Sequence, residues 1–155
     1  MEFKEWLKRN ETSLKCKPRT QRQSYIDFFE GEFKGDKVPE FKRGEVYFAK
    51  LTDSAKIRPF LIYQNDYLNR ACFEGIYHTV IVLPLSGQLL GGDYRVLIKK
   101  RDNMTLDSEI VATAIGIIST GKILFNKGLV TKLTDEEMQK VDKAIKKVMG
   151  IENAI

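Results

Sequence analysis

Arg58-Pro59-Phe60-Leu61-Ile62-Tyr63-Gln64-Asn65-Asp66 and, after a polar connection, Thr79-Val80-Ile81-Val82-Leu83-Pro84-Leu85-Ser86-Gly87-Gln88 decide how this chain is read. Both are short apolar runs bounded by polar residues, which is the signature of buried strands. Pro59 has no N–H to give to a sheet ladder, so it fits only at the start of its strand, and it holds Arg58 extended. Asn65 and Asp66 end the first run by offering side-chain bonds to nearby backbone. Ser86 stands at the exit of the second run, before a loop with Gly87, Gly91 and Gly92.

Further strands are expected around this pair. They fall at 45–51, 59–64, 79–85 and 94–99, then a long one at 108–118 and a short one at 122–125. Residues 52–57 are polar and read as a loop. The C-terminal segment is helical. Thr134 and Glu137 form a capping box, and Asp135 and Glu136 complement the positive end of the helix dipole. Met138, Val141, Ile145 and Val148 recur at helical spacing and so face a sheet. Several short strands with a closing helix make a mainly β fold with helices, a small, partly open barrel.

Residues 1–41 differ in character, and read as an N-terminal helical extension of a barrel domain over 42–155. Phe3, Trp6 and Leu7 suggest a helix at about 2–10. Tyr25, Ile26 and Phe29, preceded by the Thr20/Gln23 capping pattern, suggest another at about 21–30. Lys8, Arg9, Lys15, Lys17, Arg19 and Arg22 form a basic set that is either a solvated face or a phosphate contact.

The 155 residues suffice for one core without staples, and 43% hydrophobic with 30% charged residues is an ordinary globular balance. A net charge of +5 permits an anionic partner without requiring one. Cys16 and Cys72 match no metal-ligand spacing and read as separate thiols in a reducing compartment. The charged N-terminus is no signal peptide, and no apolar run approaches a membrane span. A cytoplasmic protein without a membrane association is expected.

Chemistry is limited by what is missing. There is no phosphate-loop or nucleophile-elbow pattern, and His78 is the only histidine, at the opposite end of its strand from Ser86. Asp66, Asp93, Asp102 and Asp107 have no spacing that predicts a metal cluster, and no metal or cofactor is expected. Arg58 reads either as a preorganised anion ligand or as an ion-pair partner of a loop acid such as Asp53. Ser86 alone reads as a loop hydroxyl satisfying local backbone.

Taken together, Arg43-Gly44-Glu45-Val46-Tyr47-Phe48, Arg58 to Asp66, Asn69-Arg70, Thr79 to Ser86 and the helix after Leu133-Thr134-Asp135-Glu136-Glu137-Met138 resemble the MazF/PemK family over about residues 42–151. The resemblance implies an SH3-like barrel that forms homodimers. It implies the toxin of a type II toxin–antitoxin system, cutting single-stranded RNA without a metal and blocked by a cognate antitoxin. The family's catalytic arginine falls on Arg58, its catalytic hydroxyl on Ser86, and a substrate-contacting asparagine on Asn65. Lys56 is the phosphate contact expected in the loop before Arg58. Where relatives carry a glutamate–glutamine pair followed by isoleucine–arginine–threonine, this chain has Thr113-Ala114-Ile115-Gly116-Ile117. The alternative is a non-cleaving barrel of the same fold that binds RNA or a protein, as CcdB-like gyrase inhibitors do.

Overall fold

The computed structural model describes residues 3–12 and 38–151, and the chain divides into two units between Lys37 and Val38. In the first unit a helix, α1 (Phe3–Arg9), occupies most of the 2–10 expectation, with an Arg9–Glu5 ion pair one turn apart. The helix expected at 21–30 lies outside the described residues.

The second unit is a half-barrel of antiparallel strands with a C-terminal helix. Its strands are β1 (Glu45–Ala49), β2 (Arg58–Ile62), β3 (Thr79–Ser86), β4 (Arg95–Ile98), β5 (Ser108–Val111), β6 (Gly116–Ser119) and β7 (Leu129–Lys132). They run in the order β4-β5-β3-β2-β1-β7, with β6 also on β3. The turn after β4 reaches back to β7, with Asn103 N–H on the Val130 carbonyl at 3.0 Å and its side-chain amide on Leu129 at 2.8 Å. Two helices complete the unit, α2 (Asp66–Phe73) and α3 (Asp135–Met149).

The two faces of the sheet bury different things. On one face Val46, Leu61, Leu83, Leu85, Val96 and Ile110 pack under Val141, Ala144 and Ile145 of α3. The helix is held in place by the Thr134/Glu137 capping box and ends at Gly150 in the left-handed conformation, φ +70°. On the other face Tyr47, Ala49, Phe60, Ile62, Val80 and Val82 meet Phe41, Cys72 and Ile123. β3 is covered on both sides, as its unbroken apolar run requires.

Three expectations are corrected. The strand read at 108–118 is two strands separated by a 3-10 turn, Ala112–Ala114. Its register against β3 slips between Leu85↔Ile110 and Val82↔Gly116, and the turn takes up the surplus residues. No strand forms at 122–125, where Ile123 makes a single bridge to Ala49 between two short 3-10 turns. The closing strand is β7, which pairs with β1. Finally, the polar connection after β2 holds a helix, α2, which Asn65 opens by the side-chain bond to backbone expected of it. Its Oδ1 accepts the Leu68 N–H at 2.9 Å. Among the described residues no helix is long and apolar enough to cross a membrane.

Candidate active site

Arg58 opens β2 and Ser86 closes β3. The strands are antiparallel in the register Phe60↔Pro84. One pleat further along, that register sets Arg58 across from Ser86, with both side chains on the same face. Directly opposed residues have Cβ atoms roughly 5 Å apart, well within a guanidinium's reach of a shared ligand. Arg58 is exposed and Ser86 half-buried, so the pair is open to solvent.

The same row continues across the sheet. Ser86 is paired with Glu109 on β5, and Glu109 with Leu97 on β4. Glu109 is only 4% exposed. Arg95 donates to its Oε2 at 2.8 Å, and the Leu90 and Gly91 N–H groups donate to it at 3.2 and 2.9 Å. The Arg95 guanidinium holds the Glu109 carboxyl below the usual carboxylate range, and the two backbone donors add to this against the cost of burial. Arg95 also donates to the Gln88 carbonyl at 2.9 Å, while the Gln88 N–H donates to Ser86 Oγ at 3.2 Å. Nothing in the spacing of Arg95 and Glu109 signalled this network, because it depends on where the glycine loop folds.

Cations gather on the Arg58 side. Lys56 is exposed two residues before it. Ala49 pairs with both Arg58 and Ile123, which brings Lys50 and Lys122 to this edge, and the Lys50 N–H donates to the Lys122 carbonyl at 3.0 Å. None of Lys50, Lys56, Arg58 and Lys122 forms an ion pair among the described residues. The Asp53 alternative for Arg58 is therefore not realised. Lys122 comes from a distant part of the chain, so sequence spacing carried no sign of it.

Asn65 is elsewhere. It follows β2 at the end away from Arg58, which at the rise of an extended chain is roughly 20 Å, and its carboxamide oxygen caps α2. The neighbours that made the sequence recognisable share this structural duty. Gln64 Nε2 donates to Asn69 Oδ1 at 3.0 Å, and Gln64 Oε1 accepts the Ile81 N–H at 3.0 Å. Asn69 Nδ2 donates to Asp66 Oδ1 at 3.0 Å, and Arg43 N–H donates to the same oxygen at 2.7 Å. A cavity of about 450 Å3 lined by Arg43, Asp66, Lys132, Asp135 and Asp142 lies at this far end, beside the structural network. His78 is there too, contributing its carbonyl to Thr120. The four aspartates weighed as a cluster have separate partners. Asp93 approaches Lys147, Asp102 accepts from Thr131, and Asp107 accepts from the Lys100 N–H. Among the described residues no group of three potential metal ligands converges.

With a guanidinium and a hydroxyl opposed on one face and cations along an open edge, the site suits a phosphodiester. Comparison with known proteins agrees in family. The profile of the PemK-like, MazF-like toxins of type II toxin–antitoxin systems matches residues 42–149, and the chain belongs to that family. Endoribonuclease EndoA of Bacillus subtilis is 32% identical over 112 residues, covering 67% of this chain and 90% of that protein. Among solved structures, an endoribonuclease from mycobacterial species in complex with its cognate antitoxin superposes with a TM-score of 0.59 at 21% identity, over 72% of this chain and 96% of the other. A MazE–MazF structure from Deinococcus radiodurans gives 0.58 at 13% identity, over 76% and 100%. At these identities the two structures support the fold.

Proposed function

We propose that the chain is a toxin that cleaves single-stranded RNA by attack of the ribose 2′-hydroxyl on the adjacent phosphate. The observation that supports this is the β2–β3 register, which, continued one pleat past Phe60↔Pro84, sets Arg58 opposite Ser86 on an open face. RNA supplies its own nucleophile. The 2′-oxygen bonds to phosphorus, the bond to the 5′-oxygen breaks, and the products are a 2′,3′-cyclic phosphate and a 5′-hydroxyl. The 2′-hydroxyl proton passes to solvent water and the 5′-oxygen takes one from it, so the protons balance without a side-chain base. The Arg58 guanidinium serves the negative charge on the non-bridging oxygens rather than proton transfer. Ser86 offers its O–H to the same phosphate. Lys56, Lys50 and Lys122 hold the backbone on the approach to Arg58. Asn65, whose carboxamide oxygen caps α2, is the RNA contact further along the strand. The protein works in the cytoplasm as a homodimer, silenced by a cognate antitoxin that covers the groove.

Base reading is the part of the family pattern this chain has rewritten. Thr113 and Ala114 stand exposed on a 3-10 turn, and Gly116 and Ile117 follow in β6. That favours, as the second reading, a relative that holds RNA without cutting it. One experiment decides. Purified protein is incubated in EDTA with single-stranded RNAs of varied sequence and the new ends are mapped. Cyclic-phosphate and 5′-hydroxyl ends, abolished by Arg58→Ala, support cleavage; intact RNA with retained binding supports the second reading.

A further inference from the structure

Ser86 can act on a phosphate only with its proton pointed outward. A free hydroxyl rotates among three staggered positions and is as ready to accept a hydrogen bond as to donate one. Here Ser86 Oγ already accepts from the Gln88 N–H at 3.2 Å. That bond occupies one of the hydroxyl's two acceptor lone pairs and fixes the oxygen against the loop, while its O–H stays available to donate to a ligand.

What holds Gln88 in that position is the buried pair behind it. Arg95 grips the Gln88 carbonyl at 2.9 Å and Glu109 at 2.8 Å. Glu109 takes the consecutive Leu90 and Gly91 N–H groups, a backbone nest filled by the protein's own carboxylate. Gly91 and Gly92 have φ of +69° and +102°, a conformation that lets the loop wrap the carboxylate. A continuous hydrogen-bond chain thus runs from buried Glu109 through Arg95 and Gln88 to Ser86. Glu109 is poorly suited to take the 2′-hydroxyl proton itself. Three donors already bind its two oxygens, and Arg95 holds its carboxyl below the usual carboxylate range, which makes it a weaker base.

We propose that Glu109 and Arg95 are positioning residues that fix the 87–92 loop and thereby present the Ser86 hydroxyl as a donor to the scissile phosphate. This role rests on the cleavage reading given above. Neither residue touches the substrate.

The test is single-turnover cleavage of a fluorescent single-stranded oligoribonucleotide in EDTA, with protein in excess, on wild type, Glu109→Gln, Glu109→Asp, Arg95→Lys, Ser86→Ala and the double variant Glu109→Gln/Ser86→Ala. Thermal melts accompany each, so that a variant that fails to fold is set aside for its partner. Expected are a maximal rate about ten- to a hundredfold lower for Glu109→Gln and Arg95→Lys, as for a displaced catalytic group, with an unchanged half-saturating concentration. Glu109→Asp should recover part of the loss. Glu109→Gln should cost less than about twofold once Ser86 is gone, because coupled residues are not additive. A full effect in the Ser86→Ala background overturns the proposal. So does a change in half-saturation alone, which would make Arg95 and the nest a phosphate subsite that Glu109 normally fills. Wild type that leaves RNA intact overturns the function reading and this role with it, whereas active wild type and undiminished Glu109→Gln overturns this role alone.

Discussion

The two faces of the β2–β3 sheet are built from alternate residues of the same strands and end differently. Under α3 the face is apolar throughout, from Leu61 and Leu83 to Leu85. On the opposite face the apolar layer stops at Phe60, and the next pleat carries Arg58, Ser86 and Glu109. A face that stays apolar is a device for stability. A face that changes character part-way leaves charged and hydroxyl groups held on a rigid support, where their positions are set by the core next to them. Arg58 and Leu61 are three positions apart on one strand and should therefore fail in different ways.

The largest separation is expected at Arg58. Arg58→Ala should lower the cleavage rate about 10²–10³-fold, by analogy with a lost oxyanion donor, while the melting temperature stays near that of wild type. An equal loss of stability would mean that Arg58 belongs to the core after all. Leu61→Ala tests the other face. Leu61 is fully buried, and its truncation should cost about 2–5 kcal/mol in urea unfolding. The folded fraction should keep its specific activity. Thr134→Ala removes the cap of the helix that covers this face and should cost about 1 kcal/mol, again without an effect on cleavage.

The smallest effect is shared by both faces. Tyr47 on one and Tyr63 on the other are each pushed up to about 12, first by burial and then by Glu45 and Asp142 respectively. The native state keeps these phenolic protons where the unfolded chain, titrating near 10, has lost them. The unfolded state then binds fewer protons, so stability declines as pH rises from about 10 towards 12. Urea unfolding at pH 8 and pH 11 should show the decline, and Tyr47→Phe should flatten it. A slope unchanged in Tyr47→Phe would remove Tyr47 from the account.

β2, β3 and α3 were legible because each carries its own signal, a proline-led apolar run, an unbroken apolar run and a capping box. α2 was missed although its cap is visible in Asn65, because Asn69 and Cys72 make a buried face with few apolar residues. The split between β5 and β6 was hidden because Ala112-Thr113-Ala114 suits a strand locally, and only the register of β3 forces the turn. β7 is four residues long and gains its identity from β1. Arg58 and Ser86 could be coupled from the sequence by family resemblance, whereas Arg95, Glu109 and Lys122 reach the site through tertiary folding alone.

The pairing of β1 with β7 has a consequence for the order of assembly. Val46 meets Thr131, almost the whole domain later in the chain, whereas β1–β2 and β4–β5 are local hairpin pairings. Closing a long loop costs entropy before any contact repays it, so the distant edge forms late. On the ribosome Arg58, Ser86 and Glu109 emerge before the strand and helix that lock the sheet. A chain synthesised only as far as β5 therefore holds Arg58, Ser86 and Glu109 without the frame that aligns them, and the site becomes complete only once β7 and α3 have followed.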